Sequence, residues 1–256
     1  MPISFDRVAD EYDESRGYPD NIMETIINAL EKTLAKDGVV LDAGTGTGRF
    51  AKPLQDRGYN IIGIDVSSRM LRKARDKGVH RLVKADMCTL PFQDQVFDTA
   101  LSIHVMHLIR TWKCALAEIG RVTRSDFVSV DFKREDSPAE DFRRLYEQVC
   151  RENGHELRHP GLRERELIEV FVPDMTRKIT AHEHIVDVKS FLEQYEDRVF
   201  SNQWDVPDEI HETAMEALRK AYEGVEDIMG KESVMLILWK AERVREFASG
   251  ETFLKK

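Results

Sequence analysis

Cysteine is scarce in this chain of 256 residues: Cys88, Cys114 and Cys150 are an odd set of three without close pairing. A disulfide framework is therefore not expected, and a reducing compartment fits best. Long apolar runs are lacking too. The longest strongly apolar stretch, residues 234–239, falls far short of the ~20 residues that span a bilayer. The opening twenty residues carry Asp6, Arg7, Asp10, Glu11, Asp13, Glu14 and Arg16, which a signal-peptide core does not tolerate. A cytoplasmic protein with no membrane partner is the expectation. Positive charge is also short: against 38 Lys and Arg stand 47 Asp and Glu, a net of −9. Nucleic-acid backbones and anionic lipid surfaces are held by clustered Lys and Arg, so neither is an expected partner. The deficit is local. Residues 135–227 hold 24 acids against 12 bases, and the remainder 23 against 26.

What is present is alternation. From residue 22 to about residue 132, apolar runs of strand length alternate with helical spacing. Ile22, Ile26, Ile27 and Leu30 recur at helical intervals, and Val39-Val40-Leu41 runs into Asp42 and a glycine cluster. Phe50, Ala51 and Leu54 suggest a helix closed by Gly58. Residues 61–64 form a second strand ending at Asp65, and Ser67 or Ser68 caps a helix through Met70, Leu71 and Ala74. Residues 81–83, 97–103 and 127–132 read as further strands. Such alternation gives a parallel sheet covered on both faces, so the expected fold is α/β, doubly wound and Rossmann-like. Beyond Phe132 the pattern turns helical. Ser137-Pro138 with Glu140 reads as a capping-box start. Residues 175–186 alternate loosely like a strand, 188–199 and 207–222 are amphipathic helices, and 233–239 return as a last strand. Two parts are expected: a core of residues 1–134 and 229–256, and a mainly helical insertion or cap, residues 135–228.

The chemistry concentrates where the first strand meets its helix, at Asp42-Ala43-Gly44-Thr45-Gly46-Thr47-Gly48. Glycines there permit a tight turn and direct approach of a ligand to the main chain. The helix start adds exposed N–H groups suited to a carboxylate or phosphate. Asp65 ends the next strand at the place from which a carboxylate takes ribose hydroxyls. A nucleoside-containing ligand follows. Gly46-x-Gly48-x-x-Ala51 satisfies a dinucleotide pattern, which keeps an NAD(P)-dependent oxidoreductase open. Asp42, however, would repel a diphosphate and would suit an ammonium group. A ligand with adenosine at one end and an amino acid at the other explains these positions: S-adenosylmethionine.

The ordered series resembles the class I S-adenosylmethionine-dependent methyltransferases, in the small-molecule branch (methyltransferase type 11) that includes quinone-biosynthesis C-methyltransferases. It runs from Phe5-Asp6, Ala9, Tyr12 and Arg16 through the glycine loop, Ile64-Asp65-Val66-Ser67, Met70-Leu71, Ala85-Asp86, Leu90-Pro91-Phe92 and Phe97-Asp98. The resemblance implies a seven-stranded sheet of the methyltransferase type. It implies that Gly44, Gly46 and Gly48 line the methionine end of the cofactor, Asp65 takes the ribose hydroxyls and Met70 packs by the adenine, with Asp42, Thr45 and Val66 also among the cofactor-binding residues. Asp86 would accept from the adenine amino group with Met87 beside it. Ser102, Ile103 and His104 would approach the sulfonium, and Tyr12 and Arg16 would fold over as a cover.

Methyl transfer from a sulfonium needs alignment more than acid–base chemistry, and a base only where the acceptor keeps a proton. His104 and His107, at the sheet edge where open α/β folds bind ligands, are the candidate catalytic residues. His182-x-His184 puts two rings on one strand face but lacks a third ligand, so no metal is expected. The reading is a methyltransferase acting at O, N or C of a small metabolite, with a non-catalytic cofactor-binding module as a further alternative. The acid excess of residues 135–227 favours neutral or cationic acceptors.

Overall fold

Short apolar runs that each end in a polar residue form the parallel strands, and their register brings those ends to one edge. The computed structural model describes residues 18–250; the expectations for Tyr12 and Arg16, with Phe5, Asp6 and Ala9, lie outside the described residues. Helix α1 (Asp20–Glu31) buries Ile22, Ile26, Ile27 and Leu30, the face its spacing predicts. Strand β1 (Val39–Ala43), α2 (Ala51–Asp56), β2 (Asn60–Asp65), α3 (Ser68–Asp76), β3 (Leu82–Lys84), β4 (Phe97–Ser102), α4 (Trp112–Val122) and β5 (Thr123–Arg134) follow. Next come α5 (Pro138–Glu152), α6 (Glu164–Val170), β6 (Met175–Asp187), α7 (Val188–Glu196), α8 (Asp208–Ala221), β7 (Asp227–Lys240) and α9 (Ala241–Ser249).

The seven strands make one mixed sheet in the order β3-β2-β1-β4-β5-β7-β6. Strand β1 pairs in parallel with β2, Val39 opposite Asn60 and Ala43 opposite Ile64, and with β4, Leu41 opposite Ala100. Strand order reverses between β1 and β4, so the loops leaving these neighbours diverge to opposite faces and open a crevice at their carboxyl ends. Strand β7 runs antiparallel to β5: the Glu135 N–H donates to Lys231 O, and Lys240 pairs with Asp126 at the far end.

Two compact units result: residues 1–131, 160–179 and 234–256, and residues 132–159 and 180–233. This differs from the expected 135–228 insertion, because residues 160–179 belong with the first unit. Leu167 and Phe171 supply its core, and the Asp174 N–H donates to Leu238 O. The first core is closed by Trp239, which is fully buried and stacks on Phe127 and Phe171 at 5.3 and 5.8 Å between ring centroids. Its Nε1–H donates to Phe171 O at 2.9 Å.

The second unit has its own core on α5, α7 and α8, where Phe142 stacks on Phe191 and meets Tyr195 edge-on. Two local expectations meet different fates. Ser67 caps α3, its Oγ accepting from the Met70 N–H at 3.0 Å. Ser137 sits at the N-cap of α5 with Pro138 after it, but its hydroxyl donates to Glu135 O and leaves the helix N–H groups uncapped. The expected capping box is therefore not formed. Among the described residues no helix is long and apolar enough to cross a membrane.

Trp239→Ala should destabilise the chain by about 3–5 kcal/mol, the usual loss for a buried large aromatic. A chemical-denaturation midpoint left near the wild-type value would contradict the role given to this stack.

Candidate active site

The loop after β1 is built on two acceptors of β2. The Gly44 and Thr45 N–H groups both donate to Ile64 O, at 2.9 and 2.8 Å. One residue on, the Gly46 N–H donates to Asp65 Oδ2 at 3.0 Å, while the Ser67 N–H donates to Asp65 Oδ1 at 2.8 Å. A single carboxylate thus spans the first and second strand-to-helix loops. Glycine is needed here for two different reasons. Gly44 has φ +82°, and a Cβ on it would lie 2.3 Å from Val105 in the loop after β4. Gly46 has φ +54° and a Cβ would meet nothing within 4 Å, so its bare peptide faces open cleft.

The cleft lies at the β1/β4 reversal. One side is Gly44, Gly46, Asp65, Val66 and Met70, and the base is Ala85, Asp86 and Met87. The opposite side is Ile103, His104, Val105, Leu108 and Ile109 from the segment after β4. Asp86 Oδ1 accepts from the Cys88 N–H at 2.8 Å, which aims the carboxyl from the end of β3. His104 adopts φ +60°, and its Nε2 is hydrogen-bonded with the Tyr18 hydroxyl at 3.2 Å. Two carboxylates at successive strand ends, apolar lining residues and side-chain-free glycines suit an adenosine with an amino-acid tail.

Residues 41–127 match the family model described as a methyltransferase domain. The chain is 36% identical over 121 residues to an uncharacterised protein of Methanocaldococcus jannaschii, covering 47% of this chain and 56% of that one. It is 31% identical over 125 residues to the malonyl-[acyl-carrier protein] O-methyltransferase of Salmonella typhimurium, covering 48% and 49%. Among solved structures, the YcgJ protein of Bacillus subtilis superposes with a TM-score of 0.55 at 18% identity, over 87% of this chain and 98% of that one. The matched segment, residues 41–127, is thus similar to the methyltransferase domain of class I S-adenosylmethionine-dependent enzymes. The chain spans about half the length of the curated relatives it matches. The cofactor of this class is S-adenosylmethionine.

Of the methyltransferase residues expected from sequence, Gly44, Gly46, Asp65, Val66, Met70, Asp86, Met87, Ile103 and His104 all line the cleft. Asp42, Thr45, Gly48, Ser102 and His107 are not among its lining residues. Asp42 is buried beneath the loop and accepts from Thr45 Oγ1 at 2.6 Å. Burial, opposed by the Thr45 bond and reinforced by Asp65, raises its pKa to about 6. It braces the turn rather than facing a ligand ammonium directly. Gly48 packs against Val79 and Ala74. Ser102 is fully buried, with its carbonyl taken by the Ser129 hydroxyl. His107 sits in a short helical turn, Met106–Leu108, and its carbonyl accepts from the Gly161 N–H. Cys88 offers no activated thiol, since burial raises its pKa.

Sequence reasoning missed Tyr18, Val105, Leu108, Ile109 and Glu164. The three apolar residues follow β4 directly, and that position was the available signal. Glu164 had none, being one of several acids in its segment. It opens α6, is 4% exposed, and its Oε1 has no partner. Burial pushes its carboxyl up to about 8, against hydrogen bonding from its own peptide N–H, with Asp131 adding repulsion and the His104 N–H opposing it. The carboxyl therefore sits behind the backbone of His104, protonated at neutral pH.

The native state then keeps a proton that the unfolded chain loses above about 4.5, so this group lowers stability as pH rises towards about 8. Glu164→Gln should flatten the fall in Tm between about pH 5 and pH 8 and exceed wild type at the upper end. Calorimetry showing parallel wild-type and variant profiles would refute the buried, protonated state.

Proposed function

We propose that this chain is an enzyme that moves the methyl group of S-adenosylmethionine to a nucleophilic O, N or C of a small metabolite, by in-line displacement. The observation that carries the reading is the cleft itself: Asp65 and Asp86, at the ends of neighbouring strands, line it together with Gly46 and the apolar residues Met70, Met87 and Ile109. When bound, the cofactor supplies a methyl activated by its sulfonium. Asp65 takes the ribose hydroxyls while its backbone bonds keep it in place. Asp86 accepts from the adenine amino group, and Met70, Met87 and Ile109 pack on the ring. The peptides of Gly44 and Gly46 receive the methionine end, and Asp42 acts through Thr45 by stiffening that turn. His104, held by Tyr18, receives a proton where the acceptor carries one; His107 supports the turn next to it.

The protein's main contribution is alignment and exclusion of water, effects that supply roughly 7–11 kcal/mol in favourable reactions. Relatives named malonyl-[acyl-carrier protein] O-methyltransferases share less than half of their length with this chain, so the acceptor is assigned only as a small molecule. The same proposal places the protein in the cytoplasm, without nucleic acid as a substrate.

Asp65→Ala should weaken binding of S-adenosylhomocysteine about 10- to 100-fold, the range for hydrogen bonds to a charged group. Titration calorimetry showing unchanged affinity would remove Asp65 from the site. With methyl-labelled cofactor and a metabolite extract, label should pass into a small molecule. Intact cofactor binding with no labelled product would turn the assignment to a non-catalytic binder. Binding of NAD and none of the methyl donor would overturn both.

A further inference from the structure

The second unit carries most of its acids at exposed positions and a cluster of basic nitrogens inside, flanked by the largely buried Glu140 and Glu232. Glu147, Glu152, Glu193, Glu212, Glu216 and Glu223 are exposed. Facing inward from α5, Arg143 is only 14% exposed at the side chain, and its guanidinium lies over the Phe191 ring at 5.0 Å. A guanidinium has five N–H donors. This one donates to Ala139 O at 3.1 Å and makes one long ion pair with Glu140 at 3.5 Å. Its Nε is buried with no partner. Two rings on β6 present the same condition. His182 and His184 stand on one face with centroids 5.6 Å apart, and each Nδ1 is buried and unpartnered. The His182 side chain is 10% exposed, with Nε2 4.0 Å from Glu232. Room for His184 comes from Gly230 on β7, where a Cβ would lie 2.5 Å from the imidazole Nε2.

Burying one polar nitrogen without a hydrogen bond is costly, and native structures hold few. Three in one cluster, one of them on a buried cation with incomplete compensation, define a place for an acceptor-rich anion. Burial, with His182 and Arg143 adding to it, holds His184 below the usual imidazole range despite Glu232. The ring is thus neutral at pH 7, and the positive charge comes from Arg143 with Arg134 nearby. Among the described residues no three metal-binding side chains converge.

We infer that the second unit contains an anion site in which Arg143, His182 and His184 hold a carboxylate or phosphate group of a small ligand. The occupant is a small ligand that carries such a group, and the site does not depend on the methyltransferase reading.

The test titrates the full chain with sodium acetate, sodium malonate and sodium phosphate at ionic strength fixed with chloride, and follows the histidine ring resonances by NMR. Saturable shifts of His182 and His184 are expected, with phosphate or carboxylate favoured according to the source of the anion. Arg143→Gln should weaken that binding by about tenfold or more, and Arg143→Lys should recover part of it. Should Arg143→Gln not fold, Gly230→Ala displaces the His184 ring without removing charge and should weaken the same titration. No saturable shift with any of the three anions overturns the site, as does a folded Arg143→Gln or Gly230→Ala that titrates like wild type. Methyl transfer is not read in this experiment, so its failure leaves the methyltransferase assignment to its own test.

Discussion

Asp65 is the constraint on which the cofactor cleft depends. Its two oxygens accept one peptide N–H from the glycine loop and one from the loop that starts α3. Those loops leave neighbouring parallel strands, so the carboxylate sets the distance between the walls that enclose a ligand. The reach is short because β1 and β2 are in register, which puts Ala43 opposite Ile64 immediately before it. A charge-assisted hydrogen bond is shorter and stronger than a neutral one. One residue therefore both lines the cleft and fixes the two loops beside it.

Around this point the walls divide their work. The β2 and β3 ends supply acceptors for hydroxyl and amino groups, and the segment after β4 supplies apolar surface and one imidazole. The left-handed backbone at His104 is unusual for a side chain of that size. Tyr18 holds its ring, and Glu164 lies behind its peptide. Strain of this sort persists where surroundings over-determine it, and here both a hydroxyl and a buried carboxyl do so.

The parallel half of the fold was legible because each strand is a short apolar run stopped by a polar residue, such as Asp42, Asp65, Lys84 or Ser102, a pattern carried by adjacent residues. The acids that line the cleft, Asp65 and Asp86, were legible for the same reason. The failures are all of longer range. Ser137 has the spacing of a cap, yet a nearby carbonyl takes its hydroxyl. Asp42 has the right type and place for an ammonium, but Thr45 lies within reach and the carboxyl turns under the loop. Residues 160–179 read as insertion since they follow it in the chain, while Phe171 belongs to the stack around Trp239. Glu164 and Arg143 carry no local signal; their burial comes from partners more than 25 positions away.

The position of Trp239 has a consequence for the order of synthesis. Most residues that line the cofactor cleft are translated before residue 110, but the ring that closes the core beneath the sheet is translated more than a hundred residues later. Until then Phe127 lacks its stacking partner and β5 is an unpaired sheet edge, the kind of surface that recruits other chains. The nascent protein thus has its ligand-binding sequence early and a finished scaffold late, so the fold completes from its carboxyl-terminal strand inward.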